Sequence, residues 1–427
     1  MQIQNQIPIL NQIKGKGEFC LKSKTWNAEF YLILYPHNVR LVSFFKIDFN
    51  DALTNENWTL RGTLDDEREV YSNSLLLLNA SEDGLEFQPL KEIRFGKVDN
   101  LSVSKATFPL IGFYGSAFEI MVDEWNIKFD QGDKALKNQK RLSKIWKIQL
   151  EGIKLQLYKE NTTQSEYIQT AIQIADLLSL ATGNEIIFNR QLFYSEENQL
   201  LEIWRTQQGD DFGVKATIPE FAIPKFLNLT YPIWKTLDSD DIKLINNAVN
   251  YINSTEYGYL EDRILRITQV WESVANKWIG DIMELPEELG SLKTRLKSIL
   301  RDWRKEFPDY DKTGFLGNRI SDALTWQKAV DKCKLLASKF ELDLDKLNID
   351  FKKLFQLRNE VAHTGKFKNK EDPSEIVKIL ENARFGLQIL FLRKLNYTYL
   401  VSFSENGFNT IVKIGNFLSN EQNEINL

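Results

Sequence analysis

Apolar residues recur at alternate positions along the first half of the chain and at helical spacing along the second. Strand composition begins at Glu29. Short aromatic and β-branched runs at 30–35, 39–45, 58–64, 69–71, 74–78 and 93–98 are separated by Asp/Asn/Gly turns, among them Asp65-Asp66-Glu67. This pattern predicts an antiparallel sheet or sandwich, because such side chains fit a pleated, half-buried surface. Runs at 118–122, 125–129, 145–150, 153–158, 185–189 and 201–205 continue it, interrupted by one predicted helix over 167–182 that Gly183 stops. Residues 1–28 are polar and Gly/Lys-rich (Lys14-Gly15-Lys16-Gly17), and Pro219, Pro224 and Pro232 punctuate a boundary expected around 225–235. Beyond it the period becomes 3.6. Asp238-Ser239-Asp240-Asp241 is a helix start, and Leu260, Ile264, Ile267, Trp271, Val274 and Trp278 mark one clean amphipathic helix. Further helices are predicted from Pro286 (Leu289, Leu292, Leu296, Ile299, Trp303) and over 319–340, 344–364 and 373–397. The last of these is the richest in large apolar residues and is expected at the centre of a bundle. A short strand at 410–414 precedes a polar end.

The fold class is therefore α+β: a β-rich N-terminal region, read as 1–115 and 116–230 (the second with one helix), then an all-α bundle over 231–400 and a tail over 401–427. A chain of 427 residues, 43% hydrophobic and 26% charged, can bury substantial cores. No apolar run is long enough to span a bilayer, and the first residues lack a basic and apolar leader, so a cytoplasmic protein without membrane association is expected. Cys20 and Cys333, and His37 and His363, are too few and too scattered for a disulfide framework or a zinc centre. No metal or cofactor is expected. The net charge of −5 excludes a broad basic field for nucleic acid. Local contact then falls to Lys366, Lys368 and Lys370, whose ordinary reading is a solvated loop.

The stretch Leu357-Arg358-Asn359-Glu360-Val361-Ala362-His363-Thr364-Gly365 carries the candidate chemistry. Gly365 is placed to end the helix. At 100° per residue Phe351, Leu354, Phe355 and Ala362 share a face, and Arg358 falls in the middle of it. A guanidinium there needs a partner, a cleft or another subunit, because an unpaired buried charge is costly. Asn359 and His363 are neighbours at i, i+4, and His363 lies in the last turn, where the helix dipole favours an imidazolium. An anion-binding Arg and a titratable His at one helix end suit phosphate-ester chemistry. An ordinary ion pair with a capping histidine is the competing reading, and His37, in a turn after Pro36, is given no role.

This helical half, with Arg-Asn-x-x-x-His late in its penultimate long helix and a long helix after it, resembles the HEPN superfamily, defined by an Arg-x4–6-His motif. The front half is similar to that of ApeA-type HEPN anti-phage proteins at Leu60-Arg61-Gly62-Thr63-Leu64, the acidic turn after it, and the strand ending Leu77-Leu78-Asn79. Trp271-Glu272 looks like the aromatic–Glu pair of the family's first helix. The resemblance implies a metal-independent endoribonuclease leaving 2′,3′-cyclic phosphate ends and acting on RNA as a homodimer through its helical domain. It implies regulation as an abortive-infection effector, with the β-rich half sensing a phage-derived protein or nucleic acid. His363 would be the general acid/base, Arg358 the phosphate ligand and Asn359 an orienting group, with Glu272 a carboxylate that pairs with Arg358. The alternatives are a catalytically inactive binding and dimerisation module, and an unrelated hydrolase or glycan-binding protein on the β-rich half. For the last, Trp58, Trp125, Trp146 and Trp204 are the aromatics to consider, although strand spacing makes them core, and no Gly-rich phosphate loop or Gly-x-Ser-x-Gly elbow is present.

Overall fold

Long antiparallel pairings set the first half of the molecule. The computed structural model describes residues 11–35, 38–48, 51, 56–81, 84–96, 103–130, 151–196, 198–205, 216–253, 258–280, 287–307, 329–367, 372–405 and 408–419. The chain divides into two compact units, Met1–Ile242 with Leu395–Ile411 and Lys243–Lys394 with Val412–Leu427. The expected strand at 145–150, residues 319–328 of an expected helix, Pro286, His37, Trp146, Lys368 and Lys370 lie outside the described residues.

In the first unit the strands are β1 (Asn11–Leu21), β2 (Lys24–Tyr35), β3 (Asn38–Ser43), β4 (Trp58–Leu64), β5 (Glu69–Ser81), β6 (Gly84–Pro89), β7 (Glu92–Gly96), β8 (Val103–Ile111), β9 (Phe118–Val122), β10 (Trp125–Asp130), β11 (Glu151–Thr162), β12 (Arg190–Ser195) and β13 (Asn198–Arg205). They form one sheet in the order β4-β1-β2-β3-β6-β5-β7-β13-β12-β8-β11-β10-β9, with β4 also pairing β5. That extra pairing closes the first six strands into a barrel. The expected alternation is present, but closure rather than a sandwich was not legible, because it depends on β1. In β1, Lys14 and Lys16 both reach Glu29 on β2, while Phe19 and Leu21 point inward. Gly17 pairs Gly62 across β1 and β4, and a Cβ on Gly17 would lie 2.5 Å from Arg61 O and 2.9 Å from Gly62 Cα. The glycines that disguise this strand are what let the barrel close. Phe19, Phe30, Trp58 and Phe87 fill its interior, with Phe19 stacked on Phe87 at 5.3 Å.

Beyond the barrel, two helices pack on the sheet at β8, β11 and β9. Helix α1 (Gln164–Thr182) packs on β8 and β11, and α2 (Ile223–Thr236) packs on α1 and β9. Ala106, Phe108, Leu155, Leu157 and Phe193 supply the buried side. Lys105, Gln156, Tyr158 and Tyr194 alternate with them, and the Lys105 ammonium lies 5.3 Å from both tyrosine rings. The buried Glu202 carboxylate accepts from Trp204 Nε1 (2.6 Å), Arg190 Nε (2.8 Å), Gln199 Nε2 (3.0 Å) and Arg68 Nη1 (3.2 Å). A buried charge is tolerated when it is paired and hydrogen-bonded in this way. Trp58, Trp125 and Trp204 are all buried, so none of them lines an open site.

Two expectations about elements are corrected. The strand expected at 185–189 is only a bridge at Ile187, and the strand begins at Arg190. The proline-punctuated boundary stretch carries α2, with Pro224 in its first turn, where its missing N–H costs nothing, and Pro232 inside.

Helix α3 (Ser239–Asn253) starts on the Asp238 carboxylate, which accepts from Asp240 N and Asp241 N. The second unit holds α4 (Leu260–Ile279), α5 (Glu287–Glu306), α6 (Ala329–Lys339), α7 (Phe351–Thr364) and α8 (Pro373–Lys394). Helix α4 packs on α6, α7 and α8. Along α8 every residue from Ala383 to Leu392 is buried, the signature of a helix enclosed on all sides. In the segment expected to be a tail, β14 (Leu400–Glu405) and β15 (Phe408–Lys413) form a two-stranded sheet. No helix among the described residues is long and apolar enough to cross a membrane.

Candidate active site

Helix α7 is fixed at both ends by its own sequence. The Asp350 carboxylate accepts from Lys352 N (2.8 Å) and Lys353 N (3.1 Å), satisfying two of the orphan N–H groups of the first turn. Gly365 takes φ 71° and donates its N–H to Val361 O at 2.7 Å, closing the last turn. The helix therefore begins seven residues later than the apolar pattern from 344 suggests. Between these caps Phe351, Leu354, Phe355, Leu357 and Val361 are buried, and the Phe351 ring meets Trp271 of α4 edge-on at 4.7 Å.

Toward its C-terminal end the buried stripe turns to Leu357 and Val361, away from the line of Phe351 and Phe355. Ala362, expected on the buried face, is exposed, and so are Asn359, His363 and Lys366. Arg358 consequently lies at the stripe's edge rather than in its middle, with its side chain 37% exposed. Its Nη2 is 3.6 Å from Glu272 Oε2 of α4, and its Nη1 donates to Asn359 Oδ1 at 3.1 Å. Arg358, Asn359 and Glu272 are thus brought together. His363 shares their helix end but makes no hydrogen bond among the described residues, so its imidazole is open to an incoming group.

No protein-family model, curated protein or solved structure matches the chain.

The surroundings of Glu272 come from α4 and α6, which the sequence does not place together. Lys332 Nζ donates to Asn276 Oδ1 at 2.8 Å, one turn along α4 from Glu272. Cys333, buried behind them, has its thiol pushed far above the ordinary value, first by burial and then by the Glu272 carboxylate, which makes it an inert packing residue rather than a nucleophile. Glu360, nearly buried on α7, accepts from Gln356 Nε2 at 3.3 Å. Among the described residues no group of three or more His, Cys, Asp or Glu side chains is placed to hold a metal ion. Chemically, Arg358, Asn359 and Glu272 together offer an accessible guanidinium with a weakly held carboxylate and an amide beside it, while His363, five residues on and about 140° round the helix from Arg358, adds an open imidazole at the end that favours positive charge.

Proposed function

We propose that the chain is an endoribonuclease of the HEPN type that needs no metal and works as a regulated anti-phage effector, its β-rich half sensing the trigger. The observation that carries this reading is the position of Arg358: a half-exposed guanidinium at the edge of the α7 stripe, touched by one carboxylate at 3.6 Å and one amide, on the same helix end as an open His363. In this mechanism the phosphate of RNA displaces Glu272 from Arg358, which then stabilises the charge that grows on the non-bridging oxygens. The 2′-oxygen forms the new bond to phosphorus as its proton leaves, the bond to the 5′-oxygen breaks, and that oxygen takes up a proton. His363 performs one of these two transfers. Products carry a 2′,3′-cyclic phosphate and a 5′-hydroxyl. A second copy facing the first through the helical unit would supply the other histidine and cover the exposed end of α7.

The test is cleavage of total cellular RNA by the purified chain with a chelator present, for wild type, His363→Ala and Arg358→Ala. Wild type should yield cyclic-phosphate ends, and each variant should lose roughly 100-fold or more in rate. Full activity in His363→Ala would sink the assignment. The second reading, a binding and dimerisation module, is favoured by the Arg358–Glu272 pair serving as an ordinary structural contact. It prevails if wild type is inactive both alone and in phage-infected extract.

A further inference from the structure

The β-rich unit holds a cation that its surroundings leave unbalanced. Across β11, β8, β12 and β13 the register sets Tyr158, Lys105, Tyr194 and Gln199 opposite one another, one residue per strand. Directly paired residues point to the same side of a sheet. This row therefore lies on the face opposite Ala106, Leu157 and Phe193, the buried row beside it. Tyr158, Lys105 and Tyr194 are half-buried and Gln199 is exposed. The Lys105 ammonium lies 5.3 Å from each tyrosine ring, and among the described residues it forms no ion pair and no hydrogen bond. Its neighbours on this face are balanced. Lys128 stands across from Glu119, Lys154 across from Asp130, and Arg190 is bonded to Glu202. Lys105 stands across from two phenols instead.

A half-buried ammonium has given up part of its water, and an anion that takes the place of that water gains a charge-assisted contact. The rings narrow the choice of anion. They lie two strand spacings apart, about 10 Å at about 4.8 Å each, with the cation between them. Tyr158 Oη is turned to Gln156 Oε1 at 2.7 Å, while Tyr194 Oη makes no hydrogen bond among the described residues. Burial holds the Tyr194 hydroxyl above its ordinary value, so it remains a proton donor at neutral pH. At the exposed end of the row Gln199 has its Nε2 held by Glu202 at 3.0 Å, which leaves its Oε1 as an acceptor. A ligand that uses all of these groups carries negative charge beside a flat aromatic body with polar atoms on its edge. An acidic peptide would answer the charge and leave the rings without a use. Sheets that present rings and cations on neighbouring strands take up nucleotides of single strands in this way.

We propose that Lys105, Tyr158 and Tyr194 form a nucleotide site on this face of the sheet, with the phosphate on the Lys105 ammonium and the base against a tyrosine ring. The nucleotide is either free or one unit of a single strand. The site rests on the register and the unbalanced cation and does not draw on the ribonuclease reading, so the two stand or fall separately.

The experiment is fluorescence anisotropy of a short dye-labelled oligothymidine with the full chain, over a range of salt concentrations. That probe lacks the 2′-hydroxyl that the proposed cleavage requires, so binding is read whether or not the chain is a nuclease. Each phosphate contact in a single strand contributes about 0.7 to the slope of log affinity against log salt, and Lys105→Gln should lower the slope by about that much. Tyr158→Leu and Tyr194→Leu should each weaken binding on the order of tenfold with the slope unchanged. Tyr194→Phe keeps the ring and should bind within about twofold of wild type, which separates stacking from the hydroxyl. Thymidine monophosphate that displaces the probe assigns the site to a free nucleotide; displacement by unlabelled strand alone assigns it to a single strand. Inorganic phosphate or oligoglutamate displacing the probe as readily as the nucleotide would show that no base is recognised and overturn the proposal. A wild-type chain that ignores the probe overturns it too, as does unchanged affinity and slope in Lys105→Gln, a half-buried surface change that keeps the test decisive should a tyrosine variant fail to fold. A chain that cleaves RNA while these variants bind as before keeps the nuclease reading and loses this site; weakened binding in the variants of a chain that never cleaves gives the reverse.

Discussion

Arg358 divides its guanidinium between Glu272 and Asn359, and the quality of those contacts decides what Glu272 does. A single half-exposed contact at 3.6 Å is worth less than about 1 kcal/mol after screening and side-chain entropy. Such a carboxylate is a weak competitor for any phosphate that arrives. Glu272→Gln keeps the shape and removes the charge. It should leave the unfolding midpoint nearly unchanged and lower KM for RNA by up to about fivefold, the ceiling that about 1 kcal/mol sets, with kcat unaltered. Steady-state kinetics on a defined RNA would check this. A fall in kcat would instead show that the carboxylate positions the arginine for the chemical step. The sequence placed Arg358, Asn359 and His363 on one helix end, and even the pairing with Glu272 was within reach. What it misjudged was the stripe: Ala362 and Arg358 follow Phe351 and Phe355 by angle alone. Angle carries no information about where α4 stops covering α7.

At the scale of elements, legibility tracked how much of each element's logic is local. Helix α4 was legible because six apolar residues at helical spacing need no partner to be recognised. Strand β1 was not, since Gly15 and Gly17 read as loop until β4 is seen crossing beside them. Helix α2 was hidden by its prolines, one of which sits where a helix tolerates it. Helix α1 shows a device that is both local and titratable. Thr163 caps it, accepting from Glu166 N, while the Thr163 backbone N–H and hydroxyl donate to the Glu166 carboxylate at 2.9 and 3.0 Å. Those bonds, the backbone one first, hold the carboxyl below its ordinary 4.5. A carboxyl depressed in the folded state binds protons more readily once unfolded, so its stabilisation is present above 4.5 and is lost as pH falls through the lower, folded value. Thermal melts of wild type and Glu166→Gln should accordingly differ at neutral pH and converge on acidification. Curves that stay parallel to low pH would contradict the capping role.

For the whole molecule, the division into a β-rich half and a helical half was readable from the change of period. The closing of six strands into a barrel that runs on into a larger sheet was not. That continuity depends on pairs far apart in sequence, of which Glu92 on β7 and Arg205 on β13, 113 residues apart, are one. Strand β7 therefore has β5 for one neighbour early in the chain and waits for the other. At 5–20 residues per second of synthesis, the interval is roughly 5–20 s, during which the outer edge of β7 offers its unpaired N–H and C=O groups to any passing strand. A fragment ending at residue 115 should stay in that condition permanently and run on gel filtration as associated species, whereas one extending past residue 236 should not. The nascent chain, more than the finished protein, is where this architecture is exposed to aggregation, and its yield in a cell should depend on chaperones that reach it before β13 does.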